Sequence, residues 1–125
     1  MSILSIIVAL IFCCLTIFQL LLSLGKPYGE AAMGGYHKVL PTPLRIVSAA
    51  NALILLLFAA AFLLYTDVLP TPWSWLPLTT IVWIITIFLA INTLANAFSR
   101  SKKERIIMTP LSGLTFILCL IIILN

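Results

Sequence analysis

Charge is what this chain has least of. Only 8% of its 125 residues are Asp, Glu, Lys or Arg, against roughly 25% in an ordinary soluble domain. Seven basic and three acidic side chains cannot cover the surface of so small a globule, which excludes a water-soluble fold. The acidic residues Glu30, Asp67 and Glu104 all fall outside the long apolar runs. The chain therefore lacks the intramembrane carboxylate with which a proton-coupled carrier exchanges a proton for substrate.

Histidine occurs once, as His37, with no second nitrogen or thiolate beside it, a poor start for a metal site. The three cysteines, Cys13, Cys14 and Cys119, lie within apolar runs, where free thiols behave as small hydrophobes. Cys13 and Cys14 are adjacent and point about 100° apart on a helix, so they cannot face one partner. The dinucleotide, P-loop and zinc-protease spacings are missing, and no Ser, His and acid are arranged for hydrolysis. No catalytic residue, metal site or particular cofactor is indicated.

What fills the chain instead is hydrophobic sequence, 63% of it. It predicts helices over about 3–24, 43–65, 76–98 and 106–124, each of 19 to 23 residues. Such helices are about 28–35 Å long, a match to the hydrocarbon core of a bilayer. An open strand in lipid leaves its backbone unsatisfied, so each run reads as helix despite its many β-branched residues. The first run has no Lys or Arg before it and exceeds the length of a signal-peptide core, so it is expected to be a retained membrane helix. One all-α transmembrane domain over 1–125 follows, an antiparallel four-helix bundle with a long loop over 25–42.

The net charge of +4 suggests nucleic acid only while its location is ignored. Lys26, Lys38 and Arg45 flank the first connection, and Arg100, Lys102, Lys103 and Arg105 flank the third. The second connection carries none and holds Asp67. By the positive-inside rule the first and third connections (25–42 and 99–105) face the cytoplasm and both termini face outward. Nucleic acid is not an expected partner. Membrane lipids are, and RSKKER is suited to anionic headgroups. A narrow four-helix interior makes a homo-oligomer or a membrane-protein partner a further expectation.

LPTPLR at Leu40–Arg45 has a near copy in LPTPWS at Leu69–Ser74, and Thr109-Pro110 repeats part of it. Beyond the shared letters the flanks diverge, so the repeat reads as helix-start chemistry, Thr capping and Pro opening the first turn. Pro77 leaves two options, a start of helix three there or a kink in one begun at Pro72. Gly25 and Pro27 end helix one. Glu30–Met33 is expected to form one helical turn at the membrane surface, with Gly34-Gly35 as a tight turn. Ser48, Ala52 and Ala59 give helix two a small-residue face for close packing.

Polar residues inside the runs collect in one half of the bundle. Gln19, Asn51, Asn92, Asn96 and Ser112 all fall toward the basic connections. Asn92 and Asn96, four apart, share a helix face. Lipid gives amides no partner, so they should point inward, either as glue between helices or as the wall of a polar pocket. Glu30, His37 and Arg45 are the groups near its mouth able to move or stabilise charge, with Arg45 available to pair with Glu30 or to bind phosphate. The ligand-binding candidates are thus Gln19, Asn51, Asn92, Asn96, Glu30, His37 and Arg45.

Phe18-Gln19, the turn Gly25-x-Pro27-x-Gly29, Gly34-Gly35, Leu40-Pro41 and Arg45 with Ser48 resemble a widespread family of small four-helix bacterial integral membrane proteins of uncharacterised function. The later Asn92, Asn96, Ser99, Arg100 and Glu104 fit the same resemblance. It implies a four-helix fold in a bacterial cytoplasmic membrane and no activity. The leading expectation is binding of a small polar or amphiphilic ligand from the cytoplasmic side, or a role as a transporter accessory subunit. A structural or regulatory membrane partner protein is the alternative. A membrane enzyme using His37 and Glu30 in the 25–42 loop is the third.

Overall fold

The computed structural model describes residues 1–125. Its elements are α1 (Ser2–Ser23), α2 (Thr42–Tyr65), α3 (Leu78–Ala97) and α4 (Lys102–Leu124), with two short 3₁₀ turns, Gly29–Ala31 and Met33–Gly35, between α1 and α2. All four helices are long and apolar enough to cross a membrane. The chain is a packed antiparallel bundle and a multi-pass membrane protein.

Helical spacing explains which faces meet. On α1 the buried residues Ser5, Val8, Phe12 and Thr16 recur every three or four positions, forming one stripe. On α2 the small stripe of Ser48, Ala52 and Ala59 is buried, which brings the two backbones close where lipid supplies no hydrophobic drive for association. At the far end Thr66 Oγ1 donates to Ser5 Oγ at 2.7 Å, and Ser5 donates to the Phe62 carbonyl. The same spacing buries Val82, Ile85 and Leu89 on α3 and Ser112, Thr115, Cys119 and Ile122 on α4. The hairpins α1–α2 and α3–α4 are the closely packed pairs; α2 and α3 touch far less. Large apolar side chains such as Ile3, Leu10, Leu53, Ile91 and Ile117 point outward, where lipid tails receive them.

Helix ends follow local chemistry, with two corrections to the Thr-Pro expectation. Gly25 closes α1: it has φ +88°, its N–H bonds to Leu22 O, and the N–H of Lys26 bonds to Leu21 O. This paired pattern satisfies the last carbonyls and needs a left-handed residue. α2 opens at Pro41-Thr42-Pro43 as expected, although Thr42 is already helical and makes no capping bond. The second copy does not start a helix. Pro70–Pro72 lies in the turn, and α3 begins at Leu78 behind Pro77, because a residue before proline is driven out of the helical region and Leu76 precedes Pro77.

The third pair fails more completely. Pro110 sits inside α4, which starts at Lys102, four residues before the expected 106. The sequence Ser101-Lys102-Lys103-Glu104 outcompetes it. Ser101 is the N-cap, and its side chain accepts from the Glu104 backbone N–H, the stronger of the two start signals. Proline within a membrane helix is tolerated where neighbours satisfy the freed groups.

The loop over 25–41 makes two 3₁₀ turns, Gly29–Ala31 and Met33–Gly35, where the sequence predicts one turn over Glu30–Met33. Ala32 and Leu40 are buried against Leu22, with Phe18, Met33 and Leu44 around them, so the loop folds back over the end of the bundle. Gly34 and Gly35 both have positive φ, as the expected tight turn requires.

Candidate functional site

Between α1, α2, α3 and the first turns of α4, under the folded-back loop, lies a cleft of about 450 Å³. Four of the polar residues picked out by depth line it: Gln19 from α1, Asn51 from α2, and Asn92 and Asn96 from α3. The loosely packed α2–α3 seam leaves the space, and Ala31–Gly34 form its loop wall. Its apolar wall includes Phe18, Phe58 and Phe88. Phe58 is held edge-on between Phe12 (5.8 Å) and Phe88 (5.7 Å), an aromatic arrangement that fixes the wall.

The amides divide into two kinds. Asn96 joins helices: its Nδ2 donates to Ser112 Oγ of α4 at 3.2 Å. Ser112 in turn donates to Met108 O at 2.7 Å and lies 3.1 Å from Thr93 Oγ1. This is interhelical glue. Gln19, Asn51 and Asn92 take part in none of the chain's side-chain hydrogen bonds, and Gln19 Oε1 is buried without any partner. Buried polar atoms are satisfied in the great majority of cases, so the orphaned Gln19 oxygen calls for an explanation, while Asn51 and Asn92 are half-buried at the cleft wall.

Glu30, His37 and Arg45 are not among the lining residues. Glu30 pairs with Lys103 at 2.8 Å rather than with Arg45. The Lys103 ammonium holds its carboxyl below the ordinary 4.5, first through the hydrogen bond and then through its charge. The Glu30 carbonyl accepts from the Ser101 hydroxyl. Arg45 Nε donates to Ser23 O at 2.9 Å, so its guanidinium serves the exposed carbonyls at the end of α1. His37 is an exposed side chain with no hydrogen bond to another residue.

Glu104 lines the cleft and is the residue that sequence reasoning passed over as a candidate. It is 8% exposed. Its Oε2 accepts from Ser99 Oγ at 2.6 Å and from the Gly34 N–H at 2.9 Å. The local pattern Ser101-x-x-Glu104 places Glu104 in the first turn of α4, but its turn into the cleft depends on the packed loop, through the Gly34 N–H. Tyr36 adds a further clasp, its ring 4.0 Å beneath the Arg100 guanidinium. The 25–41 loop is thus fastened to the start of α4 by Glu30, Gly34 and Tyr36 together.

Comparison with family models, curated proteins and solved structures returns no match. The fold itself carries the assignment, a small membrane protein built as a bundle of four transmembrane helices.

Proposed function

We propose that this protein binds a small amphiphilic ligand in the cleft beneath the 25–41 loop, entering from the side of the basic connections, which is the cytoplasmic side. The observation that carries this reading is the set of three carboxamides, Gln19, Asn51 and Asn92, that line one cleft with no side-chain hydrogen bond to the chain, the Gln19 oxygen being buried as well. Amides kept only as helix glue would be bonded, as Asn96 is. A ligand with donors and acceptors at one end satisfies them, while Phe58 and Phe88 receive its apolar body. The seven-to-zero distribution of basic side chains across the connections supports the orientation. The resemblance of the Gly25–Gly29 turn and its neighbours supports a bacterial cytoplasmic membrane.

Ala95 lines the cleft but lies outside the buried core, so Ala95→Trp fills the space without repacking the interior. The test is the unfolding midpoint of the protein in phosphatidylcholine nanodiscs, titrated with eight-carbon amphiphiles of different head group. At least one should raise the wild-type midpoint, and Ala95→Trp should cancel the rise. An equal response in both proteins would mean simple partition into lipid and would overturn the reading.

A further inference from the structure

Glu104 is the only charged side chain that lines the cleft. Ion pairing does not explain it. Within 4.0 Å the chain forms one salt bridge, between Lys103 and Glu30, and Glu104 has none. The nearby cations are engaged elsewhere: Arg100 stacks on Tyr36, and Arg105 donates to Ser99 O at 2.8 Å. Both donors to Glu104 are neutral, and both meet Oε2; Oε1 accepts from no protein group. The first turn of α4 offsets part of the negative charge through its dipole, by less than a full counter-ion would. Largely buried carboxylates are almost always paired or coordinated.

We infer that Glu104 receives the cationic head of the ligand, so that the cleft is selective for amphiphilic cations, an ammonium carried on an apolar body. This rests on the ligand-binding reading of the cleft and adds the charge of what enters it. The remaining lining agrees in chemistry. The carboxamide oxygens accept from N–H groups, and Phe18, Phe58 and Phe88 line the cleft with aromatic surface, which suits an apolar body and is compatible with a cation. No lysine or arginine faces the cleft to repel such a ligand. An anionic amphiphile would meet a carboxylate with no cation within 4.0 Å to pair it.

The experiment uses the full chain in phosphatidylcholine nanodiscs and three probes of equal chain length, n-octylammonium, n-octanol and octanoate, with binding read from the shift in unfolding midpoint. Octylammonium should bind at least about tenfold more tightly than octanol, equivalent to about 1.4 kcal/mol, and octanoate weakest. Glu104→Gln keeps an oxygen to accept from Gly34 and Ser99, and should bring octylammonium down to the level of octanol. If octylammonium and octanol bind alike, and Ala95→Trp blocks both, the cleft binds amphiphiles but the role of Glu104 is wrong. A preference for octanoate would overturn it as well. If no probe responds to Ala95→Trp, the cleft reading itself falls. Should Glu104→Gln fail to fold, the head-group series on the wild type still decides the matter.

Discussion

Replacing Asn92 and Asn96 by leucine, one at a time, should cost stability only at Asn96, although the two residues share a helix face one turn apart. Asn96 is 7% exposed and donates to Ser112 Oγ at 3.2 Å. An interhelical hydrogen bond in a membrane is worth about 0.6 kcal/mol on average and up to about 1.7. The bond here is long, and Ser112 keeps its own bond to Met108 O, so no buried hydroxyl is orphaned when the amide goes. The expected loss for Asn96→Leu is therefore about 0.5–1 kcal/mol. The Asn92 side chain bonds to nothing in the chain and borders a cleft wide enough for a leucine. Exchanging an unpaired amide for an apolar group removes a desolvation cost and adds packing, so Asn92→Leu should be neutral or stabilising by up to about 1 kcal/mol. Reversible unfolding in mixed micelles, followed by circular dichroism against denaturing detergent, measures both. Equal losses for the two variants would refute the division into glue and pocket wall.

Other consequences can be checked separately. Gly35→Ala should free the loop from α4, because residue 35 has φ +73° and a Cβ there would sit 2.7 Å from Ser101 Oγ and 2.9 Å from the Glu30 carbonyl. A cost above about 1 kcal/mol is expected, seen as faster hydrogen exchange at the Gly34 amide. The Glu30–Lys103 contact has a depressed carboxylate, so its contribution is complete above the ordinary 4.5 and disappears as pH falls through the lower folded value. Loop protection factors, which divide out the intrinsic pH dependence of exchange, should stay constant from neutral pH down to that range and fall only below it, an acid step that Lys103→Ala abolishes; the effect is small because both side chains are well exposed. Lys102→Cys, in a background with Cys13, Cys14 and Cys119 changed to Ala, should react with a membrane-impermeant maleimide only from the cytoplasmic side. Reaction from outside would invert the orientation.

Much of the architecture could be read from the order of residues. Four apolar runs of bilayer length gave the helices, and Ser48, Ala52 and Ala59 marked the close-packed face that α2 buries. Depth alone brought Gln19, Asn51, Asn92 and Asn96 to one cleft, since amides in lipid have nowhere else to turn. The errors came where two local rules compete. Thr-Pro is a weak start signal beside the Ser101 cap, so Pro110 ended inside α4, and Pro70–Pro72 lies in the turn before α3 rather than opening it; of the two options for Pro77, the start just behind it holds. The roles of Glu30, Arg45 and Glu104 were beyond reach for another reason. Their partners lie 73, 22 and 70 residues away, at Lys103, Ser23 and Gly34, and such pairings depend on the packed bundle rather than on neighbours in sequence.

The clasp between the loop and α4 has a consequence for how the bundle is built. Residues 25–41 emerge early in synthesis, yet the hydroxyl, carboxylate and guanidinium that hold them belong to Ser101, Glu104 and Arg100. The first hairpin can insert and pack on its own small-residue face, with Ala32 and Leu40 against Leu22, but the contacts of Glu30, Gly34 and Tyr36 stay unmade until the last helix arrives. The roof of the cleft is therefore the final part to set, and a chain halted before residue 100 would expose Gly34 and Tyr36 to any protease waiting at that face of the membrane.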